Sequence, residues 1–122
     1  MARMNATRLR LDVEWSLGDL LDGVSCEAVL ANLPYVPAAA VLPPDVGAYE
    51  PRQALFAGQD GLDLVRRLVA QAGARPEVAL LALEVGEGQA TTVDGLVADA
   101  RFNEIERLKD LAGHDRVVVG RR

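Results

Sequence analysis

Apolar positions along the chain change their period several times, and each change marks an element. Residues 2–11 set Met4, Leu9 and Leu11 among Arg and Asn and read as the closing turns of a helix with no N-cap before it. From Val13 to Leu17 apolar and polar residues alternate, which predicts a short strand ended by Gly18-Asp19 and so a first short βα unit. Cys26 to Ala31 is a mostly apolar run, a buried strand that stops at Asn32-Leu33-Pro34-Tyr35. Pro34 has no N–H for a ladder and holds Leu33 extended.

The stretch 36–59 carries Pro37, Pro43, Pro44, Pro51, Gly47 and Gly58, a connection long enough to read as functional or disordered. Beyond it Asp60 is placed to cap a helix, in which Leu62, Val65, Leu68, Val69 and Ala72 recur at helical spacing. Gly73 and Pro76 end that helix. Val78 to Leu83 is nearly all apolar and suits a central strand covered on both faces. A weaker helix is predicted over 87–100, with Val93, Leu96, Val97 and Ala100 inward. Two runs, 103–109 and 116–120, separated by Ala112-Gly113-His114-Asp115, form an antiparallel hairpin. This order predicts an α/β sheet, mostly parallel, with a C-terminal antiparallel hairpin, whose ligands bind at the carboxyl ends of strands, including Asp19, Asn32 and Gly86.

Composition narrows the chemistry. The chain has 122 residues, enough for one core and too few for a second domain. Thirteen Lys and Arg against 18 Asp and Glu give a net charge of −5 with no basic stripe, which argues against direct nucleic-acid binding. One cysteine, Cys26, excludes an internal disulfide and the multi-Cys metal spacings, so no metal is expected. No run approaches the roughly 20 apolar residues of a membrane span, and the start lacks the apolar core of a signal peptide, so the protein reads as cytoplasmic with no membrane partner.

The tetrapeptide at 32–35 offers an unusual set of groups at a strand's carboxyl end. Asn32 supplies an amide, Leu33 a carbonyl held outward by Pro34, and Tyr35 an aromatic face. If the Asn32 oxygen and the Leu33 carbonyl each accept one N–H of a substrate –NH2, the nitrogen is fixed in orientation and its electron density is aimed at an electrophile. No strong base is needed, because the proton leaves after alkylation. The plain alternative is a Pro-bearing loop after a strand. His114 sits in a turn with no nucleophile beside it, Cys26 and Trp15 read as packing, and Glu84 reads as a buried polar partner or a pocket wall.

Together with Tyr49-Glu50-Pro51, Ala54-Leu55, Asp60-Gly61-Leu62-Asp63, Lys109 to Gly113 and Asp115 to Val118, the tetrapeptide resembles a known family. The whole chain is similar to the carboxyl-terminal half of the peptide chain release factor N5-glutamine methyltransferases. These are S-adenosylmethionine enzymes that methylate the glutamine of the Gly-Gly-Gln loop of bacterial release factors. The resemblance implies a partial Rossmann-like class I methyltransferase sheet over 1–122. Within it Asn32, Leu33, Pro34 and Tyr35 match the family's Asn-Pro-Pro-Tyr substrate motif, with Asn32 catalytic, and Gly18-Asp19-Leu20 matches the segment along the adenine. Asp19, Leu20 and Asn32 are thereby implied as cofactor-binding.

Two departures from the family pattern follow. Leu33 stands where the family has its first motif proline, which keeps the carbonyl and loses the stiffening ring. The glycine-rich loop that cradles the cofactor's methionine and the acidic residue at its ribose are absent, as is the release-factor docking domain, so the chain is expected to touch only one side of the cofactor. Two other readings compete: an adenine-N6 methyltransferase of nucleic acid, which uses similar motifs, and a non-catalytic α/β remnant.

Overall fold

The computed structural model describes residues 1–34 and 61–122. In chain order the elements are α1 (Ala2–Arg8), β1 (Ala28–Ala31), α2 (Asp63–Gly73), β2 (Leu80–Glu84), α3 (Ala90–Asp99), β3 (Glu104–Lys109) and β4 (Asp115–Arg121). The strands form one sheet in the order β1-β2-β4-β3. β1 runs parallel to β2, from Ala28 opposite Leu80 to Ala31 opposite Leu83. β4 enters antiparallel between β2 and β3 and pairs with both.

The expectation of a mostly parallel sheet is therefore corrected: two of the three ladders are antiparallel. The returning arm of the hairpin, rather than its first arm, docks on β2, and this placement turns one hairpin into two antiparallel ladders. The strand expected at 13–17 is also overturned. Residues 11–17 are exposed and have no ladder partner among the described residues, and alternation makes a strand only where a neighbour takes its backbone groups. The first short βα unit goes with it. Trp15 instead lies under the Arg3 guanidinium, 5.6 Å from the ring centre, a cation–π contact that ties this segment to α1.

The helices α2 and α3 lie on one face of the sheet. On α2, Val65, Leu68, Val69 and Ala72 are buried, the stripe the spacing predicts. Its N-cap is Leu62, with no side-chain cap; Asp60, the expected cap, falls outside the described residues. Asp63 in the first turn suits the helix dipole and pairs with Arg66 at 3.2 Å. α3 starts later than expected because Glu87-Gly88 form a turn, with Gly88 at φ +79°, and the Gln89 side chain accepts the Gly86 N–H at 2.8 Å.

Leu81 and Leu83 of β2 meet Val29, Val118 and the two helices in the core. The expectation that β2 is covered on both faces is only half met: Leu81 and Leu83 are 0% and 1% exposed, whereas Leu80 and Ala82 are half-buried and Glu84 is exposed. The face bearing Leu30, Ala82 and Val117 is covered less: Leu30 is exposed and Ala82 and Val117 are half-buried, while Val119 farther along it is buried.

Two contacts lock the far end of the sheet. Gly120 passes so close under α3 that a Cβ there would stand 2.5 Å from Val97 Cγ1 and 3.0 Å from Phe102 Cβ. Arg122 donates to the carbonyls of Val78 and Ala72, each at 2.9 Å, while its guanidinium lies 4.4 Å from the Phe102 ring centre. A cation thus meets carbonyls at and beyond the carboxyl end of α2, where it suits the helix dipole.

At the other end the hairpin turn is organised by Asp110. Its carboxylate accepts the N–H groups of Ala112 and His114 at 2.9 and 3.0 Å and pairs with Arg116 Nε at 2.9 Å. Gly113 takes φ +86°, which the turn requires.

Gly120→Ala should push α3 off the sheet and cost about 1–3 kcal/mol, read as a lower denaturant midpoint at unchanged slope; an unchanged midpoint would contradict the close approach. The Arg116 bond, followed by the His114 N–H, lowers the Asp110 carboxyl from 3.8 to about 2. A depressed carboxyl contributes stability that is fully present above its unfolded value and is lost as pH falls through the folded one. The Ala112 and His114 amide resonances should therefore hold steady on acidification until pH nears 2, and in Asp110→Asn they should be shifted already at neutral pH.

Candidate functional site

The carboxyl ends of β1 and β2 finish side by side. Ala31 and Leu83 form the last pair of their ladder, so Asn32 and Glu84 each follow directly. Side chains alternate along a strand, and Asn32 and Glu84 share the face of Leu30 and Ala82, opposite to that of Leu81 and Leu83. There they line a cleft of about 290 Å³ together with Ala31 and Val117. The floor is aliphatic and the rim carries one amide and one carboxylate. Both Asn32 and Glu84 are exposed, while Leu33 and Pro34 are half-buried beside them. Leu33 packs on the core cluster, which holds the strand end in place. Tyr35, with the blocks 49–51 and 54–55, lies outside the described residues.

Such a cleft suits a ligand with an apolar body and a polar N–H group. Asn32 offers an acceptor and a donor, and the carboxylate offers acceptors only. Among the described residues no group of three or more His, Cys, Asp or Glu is placed to hold a metal ion, and no helix is long and apolar enough to cross a membrane.

Asp19 and Leu20 are placed elsewhere: neither lines this cleft. They belong to a segment strapped to α2. Asp19 pairs with Arg67, the Leu21 N–H donates to Gln71 Oε1 at 2.8 Å, and Arg75 donates to the Leu21 carbonyl at 2.9 Å. Leu20 has φ +53°, a left-handed conformation that costs a non-glycine residue about 1–2 kcal/mol. The strap holds it there.

His114 lines a different recess of about 120 Å³, with Glu87, Thr91, Arg107 and Asp115 among its walls. Arg107 joins α3 to the hairpin through Asp94 at 2.7 Å and Asp115 at 3.0 Å. The bond to Asp94, then that to Asp115, raises the guanidinium's pKa, and Lys109 followed by Arg107 lowers that of Asp115. This cluster is cross-bracing, and the structure does not bring it to Asn32.

Sequence reasoning put Asn32 at a strand's carboxyl end, where the structure has it, but missed what surrounds it. Counting by two back from Asn32 reaches Leu30, and back from Glu84 reaches Ala82, yet only the register shows that the two counts meet.

Comparison with known proteins bears on the whole arrangement. No protein-family model matches the chain. A release factor glutamine methyltransferase of Gloeobacter violaceus is 48% identical over 98 residues, 76% of this chain and 34% of that protein. The proteins of the same name from Caulobacter vibrioides and Deinococcus radiodurans are 37% and 41% identical, over 98% and 100% of this chain and 44% and 45% of theirs. A crystal structure of the release factor-specific protein-(glutamine-N5) methyltransferase of Alicyclobacillus acidocaldarius superposes with a TM-score of 0.50 at 30% identity, over 83% of this chain and 51% of that one. The chain thus spans less than half the length of the curated relatives it matches. Over the stretch that aligns, it belongs to the release factor glutamine methyltransferase family.

Proposed function

We propose that this chain supplies the acceptor side of a cytoplasmic methyltransferase that methylates the side-chain amide nitrogen of the glutamine in the Gly-Gly-Gln motif of peptide chain release factors. The observation that carries the reading is the position of Asn32, at the carboxyl end of a strand, on the rim of an apolar-floored cleft, with Leu33 and Pro34 directly after it. The methyl donor is S-adenosylmethionine, which when bound supplies a methyl group on a sulfonium and so needs no metal. By the family resemblance, Asp19 and Leu20 in the segment strapped to α2 and Asn32 at the strand end would hold one side of it.

Asn32 accepts one amide N–H and the Leu33 carbonyl the other, with Tyr35 stacking on the flat group. The two bonds hold the nitrogen with its electron density directed across the amide plane. The fixed carbonyl and the ladder-anchored Asn32 need no rearrangement as charge develops on the nitrogen, which is the condition for transition-state stabilisation by preorganised dipoles.

The test uses a hybrid in which this chain replaces the aligned stretch of the Alicyclobacillus enzyme, with methylation of a Gly-Gly-Gln peptide or an intact release factor read by mass spectrometry. Asn32→Ala should lower the rate about 10²–10³-fold. Leu33→Pro should be neutral or slightly favourable, because the carbonyl stays. Tyr35→Ala should fall between the two, and His114→Ala should change nothing. Near-full methylation by the Asn32→Ala hybrid, or methylation of adenine with the glutamine ignored, would reject the assignment.

A further inference from the structure

Glu84 is the one carboxylate on the rim of the Asn32 cleft, and it has no hydrogen bond or ion pair among the described residues. The basic side chains nearest in register are committed elsewhere: Arg116 to Asp110, and Arg107 to Asp94 and Asp115. Glu84 stands opposite Val117 in the β2–β4 ladder, so its own partner position offers no donor. An exposed carboxylate beside Ala82 and Val117, with no ion-pair partner among the described residues, has its oxygens available to accept N–H groups.

Asn32 and Leu33 leave a problem of selectivity. Glutamine and glutamate are nearly isosteric, and an asparagine amide serves either one, accepting from an –NH2 or donating to a carboxylate. The Leu33 carbonyl, an acceptor only, disfavours the acid, but Asn32 can turn to serve it, so the neutral pair discriminates incompletely. A fixed negative charge beside them removes the ambiguity: it accepts from a primary amide and repels a carboxylate.

We propose that Glu84 is a specificity-determining residue of this cleft, whose carboxylate selects a primary-amide side chain over the corresponding acid. The inference rests on the reading of Asn32 as the amide-holding residue and goes beyond it. Glu84 comes from a different strand, and it sets which side chain is admitted rather than how the nitrogen is aimed.

The experiment titrates the 122-residue chain with two peptides, one containing Gly-Gly-Gln and one Gly-Gly-Glu. Both have neutral flanks and ends blocked without a primary amide, and binding is followed by amide chemical shifts. The native chain should favour the glutamine peptide by about tenfold, as expected for like charges a few ångströms apart at a surface. In Glu84→Gln the preference should shrink to about threefold or less, mainly through tighter binding of the glutamate peptide. Glu84→Asp, which keeps the charge, should retain most of it. Spectra matching the native chain away from the cleft show that the variants fold. An unchanged preference in Glu84→Gln overturns the role of Glu84 and leaves the Asn32 assignment standing. Failure of the native chain to bind the glutamine peptide, or binding that leaves the Asn32 and Leu33 resonances in place, overturns both.

Discussion

Everything at the site depends on a parallel ladder of four residue pairs. It sets Ala28 to Ala31 beside Leu80 to Leu83 and is extended at its start by the Glu27 carbonyl, which accepts the Ala79 N–H at 2.8 Å. Parallel strands end together, so one ladder brings two functional ends level. The connection between them carries α2, and α3 packs on the same side. Both helices therefore cover the face of Leu81 and Leu83, and among the described residues the strand ends on the face of Ala82 stay accessible. Burial on one side and access on the other are two results of the same placement.

How far the sequence discloses this depends on how local each feature is. The stripe Val65, Leu68, Val69 and Ala72 and the 104–121 hairpin are legible because the contacts that make them lie within one helix or across one turn. The alternation at 13–17 misleads for the complementary reason: its pattern is right, and the neighbour that would make it a strand is not encoded in it. Parallel against antiparallel is likewise a question of which hairpin arm reaches β2, and no period in the sequence expresses that. At the site, Pro34 marks the end of a strand and so exposes Asn32 to view. Glu84 looks ambiguous until the register sets it beside Asn32.

Charged groups are distributed in a way that separates support from function. Asp94, Asp110 and Asp115 are each engaged by Arg or Lys around the hairpin and α3, at 2.5–3.0 Å. These are partly exposed pairs, individually modest in energy, and they act together by fixing one element against the next. Glu84, by contrast, has no ion-pair partner among the described residues and stands at the end of the apolar strand β2. A family likeness that extends over the aligned stretch and a cleft built at its strand ends point the same way.

The attachment of residues 19–21 to α2 has a mechanical meaning. Arg67 and Gln71 stand one turn apart on the same side of α2, about 6 Å along its axis, and Arg75 follows just beyond the helix's end. They grip Asp19, the Leu21 N–H and the Leu21 carbonyl in turn. A row of grips fixes both the height and the rotation of what it holds, and it makes the left-handed backbone at Leu20 a property of the pair rather than of the loop. Helix and strap then fluctuate as one body. An opening of the carboxyl half of α2 releases the strap with it, so the order of this segment is borrowed from the helix.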